Sequence, residues 1–323
     1  MVISRSALTD GIYGLAVADA LGVPFEFSSY EKMKKEPCTG MVGYGHHKQP
    51  AGTWSDDTSM TLCTVDSLCN GFDPDDMMKK FLLWMDNGEY TAGGKVFDVG
   101  ITCRKALNKY RNGIPALYCG GRKKNSNGNG ALMRIFPMAL YESARFENDE
   151  RQFLKNIHSA ASLTHANFAG LMCCGFYSLF IKEWFIDNTR PILVLFETAF
   201  EKGKTEYLQL GEGFAYYIQD TDLFQTPADI CRKTDKELIS SGYAVDTLNI
   251  AVWSLLTTNN YKDCVLKAIN LGFDTDTNGA VAGALAGLVY GKDSIPEEWI
   301  NALQNKGLID TICAKFNQKV LGY

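Results

Sequence analysis

An all-α fold of packed helices is predicted by this sequence of 323 residues, and three observations point to it. Apolar residues recur at helical spacing through nearly every long segment, so that one stripe of each can face a core. Alternating β-type runs bounded by hairpin turns are scarce, the best being a weak 41–44. Between the helical stretches lie loops dense in Gly, Asn, Asp and Ser, at 40–57, 89–94, 120–130, 240–242 and 273–278. Such composition gives the backbone freedom, and loops on a rigid scaffold commonly carry function.

Taken in order, the first helix is expected over 9–21, where Ile12, Leu15, Ala16 and Ala20 fall near one stripe. The next, over 59–69, rests on Met60, Leu62, Cys63, Val65 and Leu68. Helices are then expected over 74–87, 100–112, 131–142, 150–163, 166–181, 191–202, 243–257, 261–271, 279–290, 297–305 and 308–321. In the segment after 278, Gly279, Gly283, Gly287 and Gly291 recur every four residues, which leaves one helix face bare and lets another helix approach closely. The apolar runs 166–181 and 279–290 are too short for membrane spans of about 20 residues. No low-complexity linker interrupts the chain, so one compact, orthogonal helical bundle over 1–323 is expected.

Composition narrows the function. With 46% hydrophobic and 12% aromatic residues the chain can bury a substantial core. The net charge of −5 and a pI near 5.5 argue against a nucleic-acid-binding surface, because neutralising phosphates needs clustered Lys and Arg. Arg122, Lys123 and Lys124 form the one basic cluster, read as short and solvated. Ten cysteines without a Cys-x-x-Cys or zinc-finger spacing fit reduced thiols, and the N-terminus lacks a secretion signal, so a cytoplasmic monomer without membrane attachment is expected.

Two motifs carry chemistry. In Gly52-Thr-Trp-Ser-Asp-Asp-Thr-Ser-Met60, Ser55, Asp56 and Asp57 stand directly ahead of an apolar helix. A helix N-terminus favours acids and hydroxyls, but capping explains one acid better than two. Three oxygen ligands in a row suit a hard cation such as Mg, Mn or Ca. Gly272-Phe-Asp-Thr-Asp-Thr-Asn-Gly279 repeats the chemistry with Asp274, Asp276 and Thr277 before the glycine-faced helix, and lacks the spacing of an EF-hand loop. If the two helix ends lie side by side, four carboxylates balance two divalent cations about 3.5 to 4 Å apart, as in two-metal hydrolytic sites.

The whole pattern resembles the ADP-ribosylglycohydrolase family, which includes the dinitrogenase reductase-activating glycohydrolases. The resemblance runs through GIYGLAVADALGVPFEF (11–27), GTWSDDTSM (52–60), SNGNGALMR (126–134), SSGYAVDTL (240–248) and GFDTDTNGAVAGALAG (272–287). It implies an all-α fold with two Mg2+ or Mn2+ ions at the bottom of a cleft, and cleavage of the bond between ADP-ribose and an acceptor side chain of a modified protein. Ser55, Asp56, Asp57, Asp274, Asp276 and Thr277 are the metal ligands it implies, with Ser at 55 where relatives commonly have Thr. Ala18 stands where relatives often have Gly, and Asp19 is expected to be structural or to lie behind the ligands.

Glu26 and Asp98 match family acids and are the acid/base candidates; from the residues alone, Glu26 reads as a surface-turn Glu and Asp98 as a helix cap. The resemblance makes Ser126, Gly128, Asn129 and Gly130 ADP-ribose contacts, a loop whose backbone N–H groups suit diphosphate oxygens. His165 is expected at phosphate or ribose and Tyr243 at adenine, each with a core role as the plainer reading. The Asp98-x-Gly100 feature, with Gly100 beside the substrate, favours arginine over serine as acceptor. Competing readings are a serine-linked or small-molecule ADP-ribose hydrolase, a non-catalytic ADP-ribose sensor, and a helical protein whose acid pairs only cap helices. His46 and His47 are read as loop residues, since the expected ligand set is all oxygen.

Overall fold

A computed structural model describes residues 6–145, 149–219 and 223–322. Its helices are α1 (Ala7–Gly22), α2 (Tyr30–Lys35), α3 (Asp56–Leu68), α4 (Pro74–Asn87), α5 (Ile101–Arg111), α6 (Phe136–Ser143), α7 (Glu150–Ser162), α8 (Phe168–Ile186), α9 (Ile192–Leu210), α10 (Glu212–Gln219), α11 (Pro227–Cys231), α12 (Ala244–Leu256), α13 (Tyr261–Ile269), α14 (Thr275–Tyr290), α15 (Glu297–Ala302) and α16 (Lys306–Phe316). Among the described residues there is no β-strand. The weak 41–44 segment contributes only an isolated backbone pair, Tyr44 with Gln49.

Local signals set most boundaries. Asp73 accepts the N–H groups of Asp75 (2.8 Å) and Asp76 (3.3 Å), Pro74 occupies the first turn, and Gly88 at φ 72 closes α4. The expected helix 131–142 is broken instead: a 3₁₀ turn, Leu132–Arg134, precedes α6, with Pro137 in its first turn. A proline suits a helix start, where its missing N–H costs nothing. α8 is longer than 166–181 and reaches the length and apolarity of a membrane span, yet 83% of its apolar window is buried inside the bundle. Three short helices, α2, α10 and α11, gave no stripe long enough to read in the sequence.

The centre of the fold is the antiparallel pair α1 and α14. A Cβ on Gly279 would stand 2.8 Å from the Ala18 carbonyl oxygen, one on Gly283 would overlap the Gly14 carbonyl, and one on Gly287 would overlap that of Asp10. The bare face is therefore a backbone-to-backbone contact. Ala18 fits because its methyl fills the space beside Gly283, where a Cβ would lie 2.5 Å from it. Gly291 lies outside this contact; at φ 80 with open space around it, it ends the helix. This packing sets the C-terminal end of α1 against the N-terminal end of α14, with Gly22 pressed on the Asp276 backbone. Both acid motifs converge there.

Candidate active site

Two adjacent acids at the start of α3 are not its caps. Ser55 is: its hydroxyl oxygen accepts the Asp57 N–H at 3.2 Å. A second cap comes from α1, where Asp19 accepts the N–H groups of Ser55 (3.0 Å) and Thr58 (3.0 Å) and the Thr58 hydroxyl (2.6 Å). The N–H groups of Ser55, Asp57 and Thr58 are thus engaged by Ser55 and Asp19, leaving the carboxylates of Asp56 and Asp57 for other work.

Those carboxylates diverge, as consecutive helical residues must. Asp56 faces an open cavity and accepts the Gly100 N–H at 3.4 Å. Asp57 turns inward, where it accepts the hydroxyls of Ser55 (2.9 Å) and Thr277 (3.3 Å), and its other oxygen is buried without a hydrogen-bond partner. The N-terminus of α14 repeats the division: Asp274 lines the cavity, while Asp276 is buried behind it. Carboxylate oxygens of Asp19, Asp57 and Asp276 lie within 4.8 Å of one another, and so do those of Glu26, Asp274 and Asp276.

Such crowding is costly for ionised groups away from water. Burial, then the neighbouring carboxylates, holds Asp56, Asp57 and Asp276 well above the usual carboxylate range. Burial pushes Asp274 to about 7, and Asp19 to about 6 against the pull of its hydrogen bonds to Thr58 and Ser55. Among the described residues, no Lys or Arg forms an ion pair with any of these five. Clustered oxygens, an orphaned Asp57 oxygen and no balancing side-chain cation fit a divalent metal centre.

The cavity above this floor has a volume of about 760 Å³. Its walls include Glu26, Asp98, Gly100, Gly128, Asn129, Gly130, His165 and Thr277. Asp98 does not cap α5, whose N-cap is Gly100. Asn129 donates to Asp274 (2.6 Å) and Thr247 (2.9 Å), so its side chain orients an acid of the floor. His165 is held by Thr164 Oγ1 at its Nδ1 (2.9 Å), and that hydroxyl in turn accepts from Arg134 (2.8 Å). This chain favours a proton on Nε2, which faces the Gly128 side of the cavity; burial lowers the His165 pKa to about 3, so the ring is neutral. At the rim, exposed Phe27 and Phe273 both adopt left-handed backbone (φ 62 and 55) and are paired by the Phe27 N–H donating to the Phe273 carbonyl at 2.6 Å. Non-glycine residues hold that conformation only when their surroundings enforce it.

Two residues expected at the substrate line hollows beside the cavity. Ser126 ends a 3₁₀ turn, Lys124–Ser126, packs against Gly121 and lines a neighbouring hollow instead of the cavity. Tyr243 gives its backbone to the loop, paired with Gly128, but as N-cap of α12 it sends its ring into a separate hollow with Leu238 and Asp246. In its place, the Gly242 backbone lines the cavity.

One residue was missed. His47 Nε2 is in hydrogen-bonding contact with Glu26, and the two lie within 4.8 Å of Asp98. That contact raises the His47 pKa. Its loop is a tight turn: Tyr44 donates to the Gln49 carbonyl (2.5 Å), His46 to the Pro24 carbonyl (3.2 Å), and the Gln49 amide to the His47 carbonyl (3.0 Å). The signal available in the sequence was a pair of histidines close to an acid motif, which an oxygen-only expectation discounts.

Comparison with known proteins agrees with this geometry. A family model described as ADP-ribosylglycohydrolase matches residues 3–322. The ADP-ribosylarginine hydrolase Tri1 of Serratia proteamaculans is 30% identical over 304 residues, covering 93% of this chain and 76% of its own. The ADP-ribosyl-[dinitrogen reductase] glycohydrolase of Rhodospirillum rubrum is 28% identical, covering 91% and 88%. A solved chain described as an ADP-ribosylglycohydrolase-related protein complex superposes with a TM-score of 0.70 at 28% identity, covering 98% of each. The chain belongs to the ADP-ribosylglycohydrolase family.

Proposed function

We propose that this protein is a metal-dependent hydrolase that cleaves the N-glycosidic bond between ADP-ribose and an arginine side chain of a modified protein. The observation that carries the reading is the cavity of about 760 Å³ whose floor is a crowd of carboxylates that, among the described residues, no Lys or Arg pairs with. Its size suits an ADP-ribosyl group. Relatives named as ADP-ribosylarginine hydrolases, at 30% identity, support arginine as the acceptor, as does the Asp98-x-Gly100 feature on the cavity wall.

The residues divide the work. Ser55, Asp56, Asp57, Asp274, Asp276 and Thr277 would hold two divalent cations, Mg2+ or Mn2+, which when bound supply Lewis-acid polarisation of the ribose oxygens. The backbone N–H groups of Gly128 and Gly130 meet the diphosphate, that of Asn129 being held by the Gly242 carbonyl, and neutral His165 adds an Nε2–H donor. In the reaction a water oxygen joins ribose C1″ as the bond to the guanidine nitrogen breaks, through an oxocarbenium-like state. Glu26 and Asp98, side by side on one wall, are the groups that take the water proton and deliver one to the leaving nitrogen.

The test is release of free ADP-ribose from arginine-ADP-ribosylated protein with Mg2+, with Mn2+ and with EDTA, wild type against Asp56→Ala. Metal-dependent release lost in the variant is the expected result. Tight ADP-ribose binding with every arginine- and serine-linked acceptor left intact would instead make the protein a sensor.

A further inference from the structure

The wall of the cavity has a second side. Thr102 of α5 lines the cavity and also a separate hollow of about 490 Å³, formed by the outward face of α5 and the loop from Tyr118 to Ser126. On a chain of net charge −5, four cations surround this hollow, Lys105 and Lys109 one turn apart on α5 with Arg122 and Lys123 opposite, and none of its lining residues is acidic. Among the described residues, none of the four cations is in an ion pair. Arg122 and Lys123 of the solvated basic cluster thus also border a concave feature.

Further observations make the hollow and the cavity one face. Ile101 on the cavity wall is 73% exposed and Tyr118 in the hollow 67%, large apolar groups of the kind that anchor protein contacts. The hollow's loop is fastened to the segment that carries His165: Gly121 donates to the Thr164 carbonyl (2.9 Å) and Ala166 to the Gly121 carbonyl (2.8 Å). Lys109 is fixed by donating to the Cys119 carbonyl at 3.0 Å. From Thr102 to Lys109 the helix rises roughly 10 Å, the span of about three residues of extended chain. A protein whose modified side chain enters the cavity can therefore reach this hollow with its neighbouring residues.

We propose that the hollow docks an acidic, Asp- and Glu-rich segment of the modified protein, a few positions from the side chain that bears ADP-ribose. The inference rests on the proposed function. The diphosphate of the substrate is met by the Gly128–Gly130 loop inside the cavity, so the cations outside it serve carboxylates of the acceptor. Cations at a rim act on encounter and binding more than on the chemical step, and their effect fades with salt.

The experiment uses the full chain, wild type and the double variant Lys105→Glu/Arg122→Glu, with circular dichroism to check folding. Three substrates are compared at low and high salt: an ADP-ribosylated arginine peptide flanked by Asp and Glu, the same peptide flanked by Ser, and free ADP-ribosylarginine. The wild type is expected to favour the acidic peptide in kcat/KM by about tenfold at low salt, through KM, with the preference shrinking at high salt. The double variant loses that preference and keeps its activity on ADP-ribosylarginine. Loss on all three substrates alike would assign the cations to the substrate's own phosphates, and no change on any would remove the docking role; either overturns the proposal. A fluorescent Asp/Glu peptide without ADP-ribose, followed by anisotropy, separates the two readings. Binding in the wild type and not in the double variant upholds docking even where no ADP-ribose is released, in which case the hydrolase reading alone fails.

Discussion

Asp19 of α1 caps α3 from outside, accepting the N–H groups of both Ser55 and Thr58 at 3.0 Å. The acid that performs the capping thus lies 36 positions before Ser55, and the acids next to the cap are released. Replacing Asp19 by Ala strands two buried N–H donors, each worth about 1–3 kcal/mol, partly offset by removing one charge from a crowded cluster. A net loss of about 2 kcal/mol is expected in urea unfolding without metal, with Asp19→Asn in between because it keeps an acceptor oxygen. An unchanged midpoint in the Ala variant would refute the capping role.

A metal held by the crowded carboxylates would make stability respond to it. A ligand that binds only the folded chain stabilises it by about 2.7 kcal/mol at a hundredfold excess over Kd. Thermal unfolding of the wild type in EDTA and in millimolar Mg2+ or Mn2+ is expected to differ by several degrees. In Asp276→Ala, which takes away the carboxylate shared by both oxygen clusters, that difference should vanish. Equal shifts in wild type and variant would place the binding elsewhere.

His47 and Glu26 form the next testable pair. The tight 44–49 turn fixes the imidazole, and the imidazole fixes one Glu26 oxygen while the carboxylate also borders Asp274 and Asp276. Groups that orient a functional carboxylate typically matter by 10- to 100-fold. His47→Ala is expected to lower kcat for ADP-ribose release about tenfold with little change in KM, and His47→Gln, which keeps a nitrogen donor, to recover part of it. A kcat equal to wild type in the Ala variant would leave His47 a loop residue after all.

How much of this was legible in the sequence varied with the reach of the interaction. The helix 74–87 was readable residue for residue because Asp73, Pro74 and Gly88 are local signals. α3 begins at Asp56 and α14 at Thr275, ahead of the apolar stripes that suggested 59 and 279, because polar first turns carry no periodicity. Cavity residues that arrive on helix N-termini, Asp56, Asp274 and Thr277, were legible for the same local reason. His47 was not, since its partner Glu26 lies 21 positions away and only the turn at Gly45 brings them together. Ser126 and Tyr243 lie beside the expected loop but line neighbouring hollows, because a motif does not tell which side of the backbone a side chain takes.

Buried His165 predicts an acid-side effect of definite sign. Its pKa is about 3 when folded and about 6.5 in an unfolded chain, so between those values only the unfolded state holds the proton. Stability from this group therefore falls as pH drops below about 6.5, by about 1.4 kcal/mol per pH unit. In metal-free protein the raised Asp19 and Asp274 act oppositely, since folded carboxylates bind protons first and their destabilisation grows as pH rises toward 7. Comparing wild type with His165→Gln cancels the carboxylates. Unfolding free energy at pH 7 minus that at pH 5 should be more positive for the wild type than for the variant, and identical pH slopes would show that the imidazole protonates freely.

The glycine face of α14 makes the sharpest packing prediction. At Gly283 a Cβ would overlap the Gly14 carbonyl and come within 2.5 Å of the Ala18 methyl, so two backbones would have to separate to admit one carbon. Overpacking of a filled core costs about 1–3 kcal/mol, and here the neighbour that must give is main chain. Separation would also move the C-terminal end of α1, with Asp19, away from the start of α14, with Asp276. Gly283→Ala is thus expected to lower both the melting temperature and the Mg2+-induced shift, a linkage that pure destabilisation does not require. The control is Gly307 near the start of α16, where a Cβ meets nothing within 4 Å; there alanine should be neutral or gain up to about 1 kcal/mol from helix propensity. Melting curves with and without Mg2+ for the two variants decide it, and a Gly283→Ala protein matching wild type in both would mean that the α1–α14 contact is looser than its geometry.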